Sequence, residues 1–135
     1  IALQTQPLTF GRTSTRFDRV AAYLEANGYR HGFAHFWNAS SVTVSSRNRV
    51  KVRAITVHRN ADLVPEYAEE QRWFYKPHWF SEAPHQFVLV DNWGYLDVSK
   101  AFIIEIFGEP LRVDAFEDYE ILVYDRDLTP ELNGR

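Results

Sequence analysis

Phe17, Val20, Ala21 and Leu24 recur at the three- and four-residue spacing that lines one face of a helix. Thr15 followed by Asp18 reads as a capping box and Gly28 after Asn27 as a stop, which predicts a helix over about 16–27. Tyr29 to Trp37 is short, aromatic and bounded by Gly28 and Asn38, the pattern of a buried strand. The next segment reads two ways. Asn38 can cap a short helix through Ala39, Ser40 and Ser41, whereas Val42, Thr43 and Val44 are β-branched and prefer a strand. Val50, Val52 and Ala54 alternate with Lys51, Arg53 and Ile55, predicting a strand over about 50–57 with one wet face, closed by the polar turn Arg59-Asn60-Ala61-Asp62.

From Ala61 to Pro84 the periodicity fades into a long connection, with a brief helix expected over Pro65 to Arg72, Pro65 in its first turn. Its aromatic load, including Tyr67, Trp73, Trp79 and Phe80, implies that it is pinned to the domain rather than disordered. Gln86 to Asp91 has the apolar run of a central strand. Asp97 or Ser99 can then cap a helix carrying Val98, Ala101, Phe102 and Ile106, closed by Gly108 and Pro110. Leu111 to Ala115 alternates, Phe116-Glu117-Asp118 turns, and Tyr119 to Tyr124 completes a terminal hairpin. The expected fold is α/β: one layered domain over 16–128, a mixed sheet with helices packed against it, preceded by a linker over 1–15 and followed by a frayed tail over 129–135.

Composition narrows the possible functions. The chain has 135 residues, 45% of them apolar and 24% charged, which suits one ordinary globular domain. No run approaches the ~20 apolar residues of a membrane span. A net charge of -3 gives no basic footprint, so a nucleic-acid partner is not expected. With Cys 0 there is neither a disulfide nor a thiolate site. A chain that opens at Ile1 with Met 0 reads as a domain excised from a longer polypeptide.

Phosphate-cradling glycine loops, nucleophile-elbow serines and His-Glu-x-x-His pairs are absent from the sequence, so no catalytic residue is assigned. His31 and His35 are four apart, but without a third ligand they read as packing residues, and neither a metal nor a cofactor is expected. His78 and His85 flank a proline-bounded loop and read as exposed loop histidines rather than ligands. Arg47, Arg49, Lys51 and Arg53 form a basic run that can meet phosphate or a lipid head group, or simply solvate a strand edge. Asp91, Asn92 and Trp93 follow a candidate buried strand, where α/β sheets place ligand-contacting residues, and Trp37 and Asn38 follow another. Tryptophan can stack on a pyranose while Asp and Asn take its hydroxyls, which makes these five the candidate saccharide contacts; the same rings can instead cap the sheet.

Three segments together resemble the soluble C-terminal domains of bacterial multi-spanning membrane proteins related to lipid-linked-sugar glycosyltransferases and dolichyl-phosphate-mannose-type mannosyltransferases. They are Val20 to Ser45, with Gly28-Tyr29, Gly32-Phe33-Ala34 and Phe36-Trp37-Asn38-Ala39; Gln86 to Asp91; and Phe107-Gly108-Glu109-Pro110 through Tyr119 to Asp125. The family often carries a Tyr-Trp pair with an acidic residue where this chain has Phe36-Trp37-Asn38. In that family the sugar-transfer carboxylates are associated with the membrane-embedded part and its first outer loop, so the resemblance carries none of them onto these positions. The resemblance therefore implies a non-catalytic accessory domain on the extracytoplasmic face, whose partners are its own transmembrane region and a saccharide or lipid-linked sugar. Two rival readings are a self-contained hydrolase or transferase using Asp91 with a loop histidine, and a purely structural interaction module.

Overall fold

Helix α1 (Arg16–Ala26) begins where the sequence places it: the Thr15 hydroxyl accepts from the Asp18 N–H at 3.2 Å and the Asp18 carboxylate accepts from the Thr15 N–H at 3.1 Å. Asn27 caps its end, and Gly28 leaves it at φ +77°, in the left-handed region. This computed structural model describes residues 15–71, 80–92 and 98–134. Along them follow β1 (His31–Ala34), α2 (Phe36–Ser45), β2 (Lys51–Arg59), β3 (Pro65–Glu70), β4 (Phe87–Asp91), α3 (Lys100–Phe107), β5 (Arg112–Phe116), β6 (Tyr119–Val123) and a 3-10 segment over Thr129–Gly134.

The six strands form one mixed sheet in the order β3-β2-β1-β4-β6-β5. β1 lies at its centre, parallel to both β2 and β4, and all other pairings are antiparallel. Helices cover both faces. On one, Val20, Leu24, Ala39 and Val42 from α1 and α2 pack on Ala34, Val52, Phe87, Leu89 and Ile121. On the other, Ile103 and Phe107 of α3, with Leu128 and Leu132 of the C-terminal segment, pack on Phe33, Ile55, Val88, Val90 and Leu122. This is the expected α/β domain with its terminal hairpin, turned at Glu117 (φ 53°). The Phe87 ring lies over Gly32, where a Cβ would come within 2.5 Å of it, so this position of β1 has no room for a side chain.

Several elements depart from the sequence reading. The strand expected over Tyr29 to Trp37 stops at Ala34, and the ambiguous stretch is a helix that His35, not Asn38, caps by accepting the Trp37 N–H on Nδ1. Helical geometry separates Val42, fully buried, from Val44, 76% exposed, where a strand would have put both on one face. Thr43 overrides its own strand preference by bonding both the N–H and the C=O of Val52, each at 3.0 Å, so the helix end is tied to β2. The face of β2 expected to be wet is covered too: Arg53 is 7% exposed because it is paired with Glu82.

The helix expected at Pro65 is the edge strand β3, hairpinned to β2 by a turn in which the Asn60 side chain accepts from the N–H groups of Asp62 and Val64. An edge strand tolerates a leading proline, which lacks the N–H a central position would need. The tail expected to fray is ordered against β3, with Leu132 fully buried and the Asn133 side chain accepting from the Glu70 N–H at 3.1 Å. Ser99 caps α3 as expected, while Asp97 lies outside the described residues.

Candidate functional site

At the carboxyl ends of β1 and β4 the chain builds a polar corner. Asn38, in the first turn of α2 and 2% exposed, donates from Nδ2 to Asp91 Oδ2 at 2.6 Å. Asp91 ends β4 and pairs in register with Tyr119 of β6. The Tyr119 hydroxyl is held above the usual phenol range, chiefly by burial and in part by the Asp91 charge, against the opposing pull of Arg16. Trp37, one residue before Asn38, has 58% of its surface exposed, and its ring is edge-on to Phe36. Asn92 is exposed on the outgoing chain, with its N–H bonded to the Asp118 carbonyl. Thus Asn38 and Asp91, 53 residues apart, meet, with Trp37 and Asn92 beside them in the chain. Trp93, the fifth candidate, lies outside the described residues, as do Trp73, Trp79 and His78. Tyr119 and Arg16 escaped the sequence reading, since only sheet register brings Tyr119 beside Asp91, and Arg16 acts on Tyr119 from a distant helix.

A second polar group sits at the opposite, amino end of the same strands. His31 opens β1, and His85 lies just before β4. Their rings are edge-to-face with centroids 5.7 Å apart. Glu82 completes the group, with Oε1 3.8 Å from His31 Nδ1 and 2.8 Å from the Arg53 guanidinium. The His85 ring is fully buried, stacked on Phe33 with centroids 4.8 Å apart and planes 3° from parallel. Burial, reinforced by the His31 charge, pushes its pKa down to about 4. Burial also lowers the pKa of His31, against the pull of Glu82. His35 takes no part, being occupied as the cap of α2. The basic run is dispersed rather than gathered into a patch: Arg49 bonds Glu25, and Arg53 turns inward to Glu82.

The two ends do not combine. His85 and Asp91 are six residues apart on nearly extended chain, roughly 20 Å, so no shared reacting centre joins them. Among the described residues no helix is long and apolar enough to cross a membrane. No protein family matches the chain, and neither a curated protein nor a solved structure matches it.

Proposed function

We propose that this chain is a non-catalytic, extracytoplasmic accessory domain of a membrane glycosyltransferase-like protein, and that it contacts a saccharide or lipid-linked sugar at the corner formed by Trp37, Asn38, Asp91 and Asn92. The observation that carries the saccharide part is an indole 58% exposed immediately before a buried amide bonded to a carboxylate at strand carboxyl ends. An exposed indole offers a flat face for a pyranose, and strand carboxyl ends are where α/β sheets hold ligands. Such a surface supports weak recognition, by stacking and a few hydroxyl contacts. The accessory and membrane parts rest on the three segments that resemble the glycosyltransferase-like domains.

The hydrolase reading has less support, because Asp91 and His85 occupy opposite ends of β4. The test is a titration of mannose, galactose and arabinose oligomers followed through the indole N–H resonances. Trp37 is expected to shift at millimolar sugar and to stop responding in Asp91→Asn. Shifts confined to Trp73 and Trp79 would move the site to the connection before β4, and no shift at all would leave the structural-module reading ahead. Apolar segments of about 20 residues encoded ahead of Ile1 would support the membrane assignment.

A further inference from the structure

We propose that His31, Glu82 and His85 form a binding site for a divalent cation of borderline softness, zinc being the type, with Thr129 and Arg53 holding two of the ligands in place. Among the described residues these three offer ligand atoms that all lie within 4.8 Å of one another. Two imidazole nitrogens and one carboxylate oxygen make a donor set that zinc accepts when three protein ligands leave one position for water. Ligand bonds of 2.0–2.2 Å put the ligand atoms of a tetrahedral site roughly 3.3 Å apart, so binding draws the group inward by roughly 1 Å.

Two observations point to a cation rather than to ordinary packing. First, His31 Nδ1 and His85 Nε2 are buried without a hydrogen-bond partner, which is unusual for polar atoms inside a protein. Second, His85 is held through its other ring nitrogen: Nδ1 lies 3.1 Å from Thr129 Oγ1, which leaves Nε2 as the ring nitrogen available to ligate beside His31 and Glu82. A ligating histidine fixed through its other nitrogen is the usual outer-shell arrangement of protein zinc sites.

The main chain of His85 is pinned as well, its N–H bonded to Asp127 Oδ1 at 2.8 Å and its carbonyl to the Leu128 N–H at 2.9 Å. A cleft of about 370 Å³, lined in part by Tyr29, His31, Pro84 and Gln86, reaches His31. Arg53 works in both directions: it orients the Glu82 carboxylate, and it competes with a cation for that carboxylate's charge.

The site lies at the other end of the sheet from the saccharide corner and does not depend on that reading. The test uses the 135-residue chain without an affinity tag, titrated with Zn²⁺ by calorimetry and with Co²⁺ by visible absorption, while ring-nitrogen resonances are followed by NMR. The expected result is 1:1 binding that shifts His31 Nδ1 and His85 Nε2 and leaves the Trp37 indole unmoved. His31→Ala and Glu82→Gln, chosen because neither side chain is in the apolar core, should each weaken binding by about tenfold or more. No 1:1 binding to wild type, or unchanged affinity in both His31→Ala and Glu82→Gln with the amide spectrum intact, overturns the proposal.

Discussion

The two ends of the β1 and β4 pair are built from similar residue types but solve the problem of buried polarity differently. At the carboxyl end the groups complete one another: the Asn38 amide donates to Asp91, and Arg16 offsets charge at Tyr119. At the amino end a carboxylate is held by Arg53, yet two imidazole nitrogens face inward with nothing bonded to them. The first arrangement joins its amide directly to its carboxylate and leaves its neighbours Trp37 and Asn92 facing solvent. In the second the carboxylate is taken by an arginine and the imidazole nitrogens are not, which is the gap a cation would fill.

Because both ends hang from β1, the most severe way to break the comparison is to disturb their common support. Gly32→Ala would place a Cβ 2.5 Å from the Phe87 ring, which is buried, so the ring and the core packed around it must shift. A loss of about 3 kcal/mol or more is expected, read as a lower urea midpoint, together with weakened responses to both sugar and metal. A midpoint within error of wild type would mean that the Phe87 ring moves aside without cost.

Next in size is the effect of acid on the amino end alone. The folded-state pKa of His85, about 4, lies below its usual 6.5, so the unfolded chain binds the proton more readily than the folded one. The stabilising contribution is present above pH 6.5 and is lost as pH falls toward 4, on the order of 3 kcal/mol in all. Urea unfolding in chelator at pH 7 and pH 4.5 should show this fall, and His85→Phe should flatten it. An equal slope in wild type and His85→Phe would assign the acid sensitivity elsewhere.

At the carboxyl end, Asn38→Ala removes the donor to Asp91 and leaves that carboxylate without the bond. The expected loss is about 1–2 kcal/mol, with no change in Zn²⁺ affinity, which separates the two ends energetically. Trp37→Ala should have the smallest effect on folding, within about 0.5 kcal/mol, because its ring faces solvent. It is nonetheless expected to abolish the sugar response. A large stability loss in Trp37→Ala would show that the ring is a structural cap rather than a contact surface.

The sequence by itself determined the elements whose signals are local. The Thr15/Asp18 box, the Asn27-Gly28 stop, the Ser99 cap and the hairpin turn at Glu117 each act within a few residues, and each is found in place. Asp91 was also legible as the end of a strand from the apolar run before it, whereas Asn38 comes to it from the first turn of a helix and not from the end of the strand the pattern suggested. What only the tertiary structure decided is whatever depends on a partner distant in sequence. Val42-Thr43-Val44 became helix because Thr43 finds the Val52 backbone, and Pro65 opened a strand because β2 has an edge to extend. The tail held because Leu132 finds the core. His31 pairs with His85 rather than His35 for the same reason. Spacing along the chain tells which residues share a local face, whereas the parallel register of β1 with β4 sets which residues, more than fifty positions apart, lie side by side.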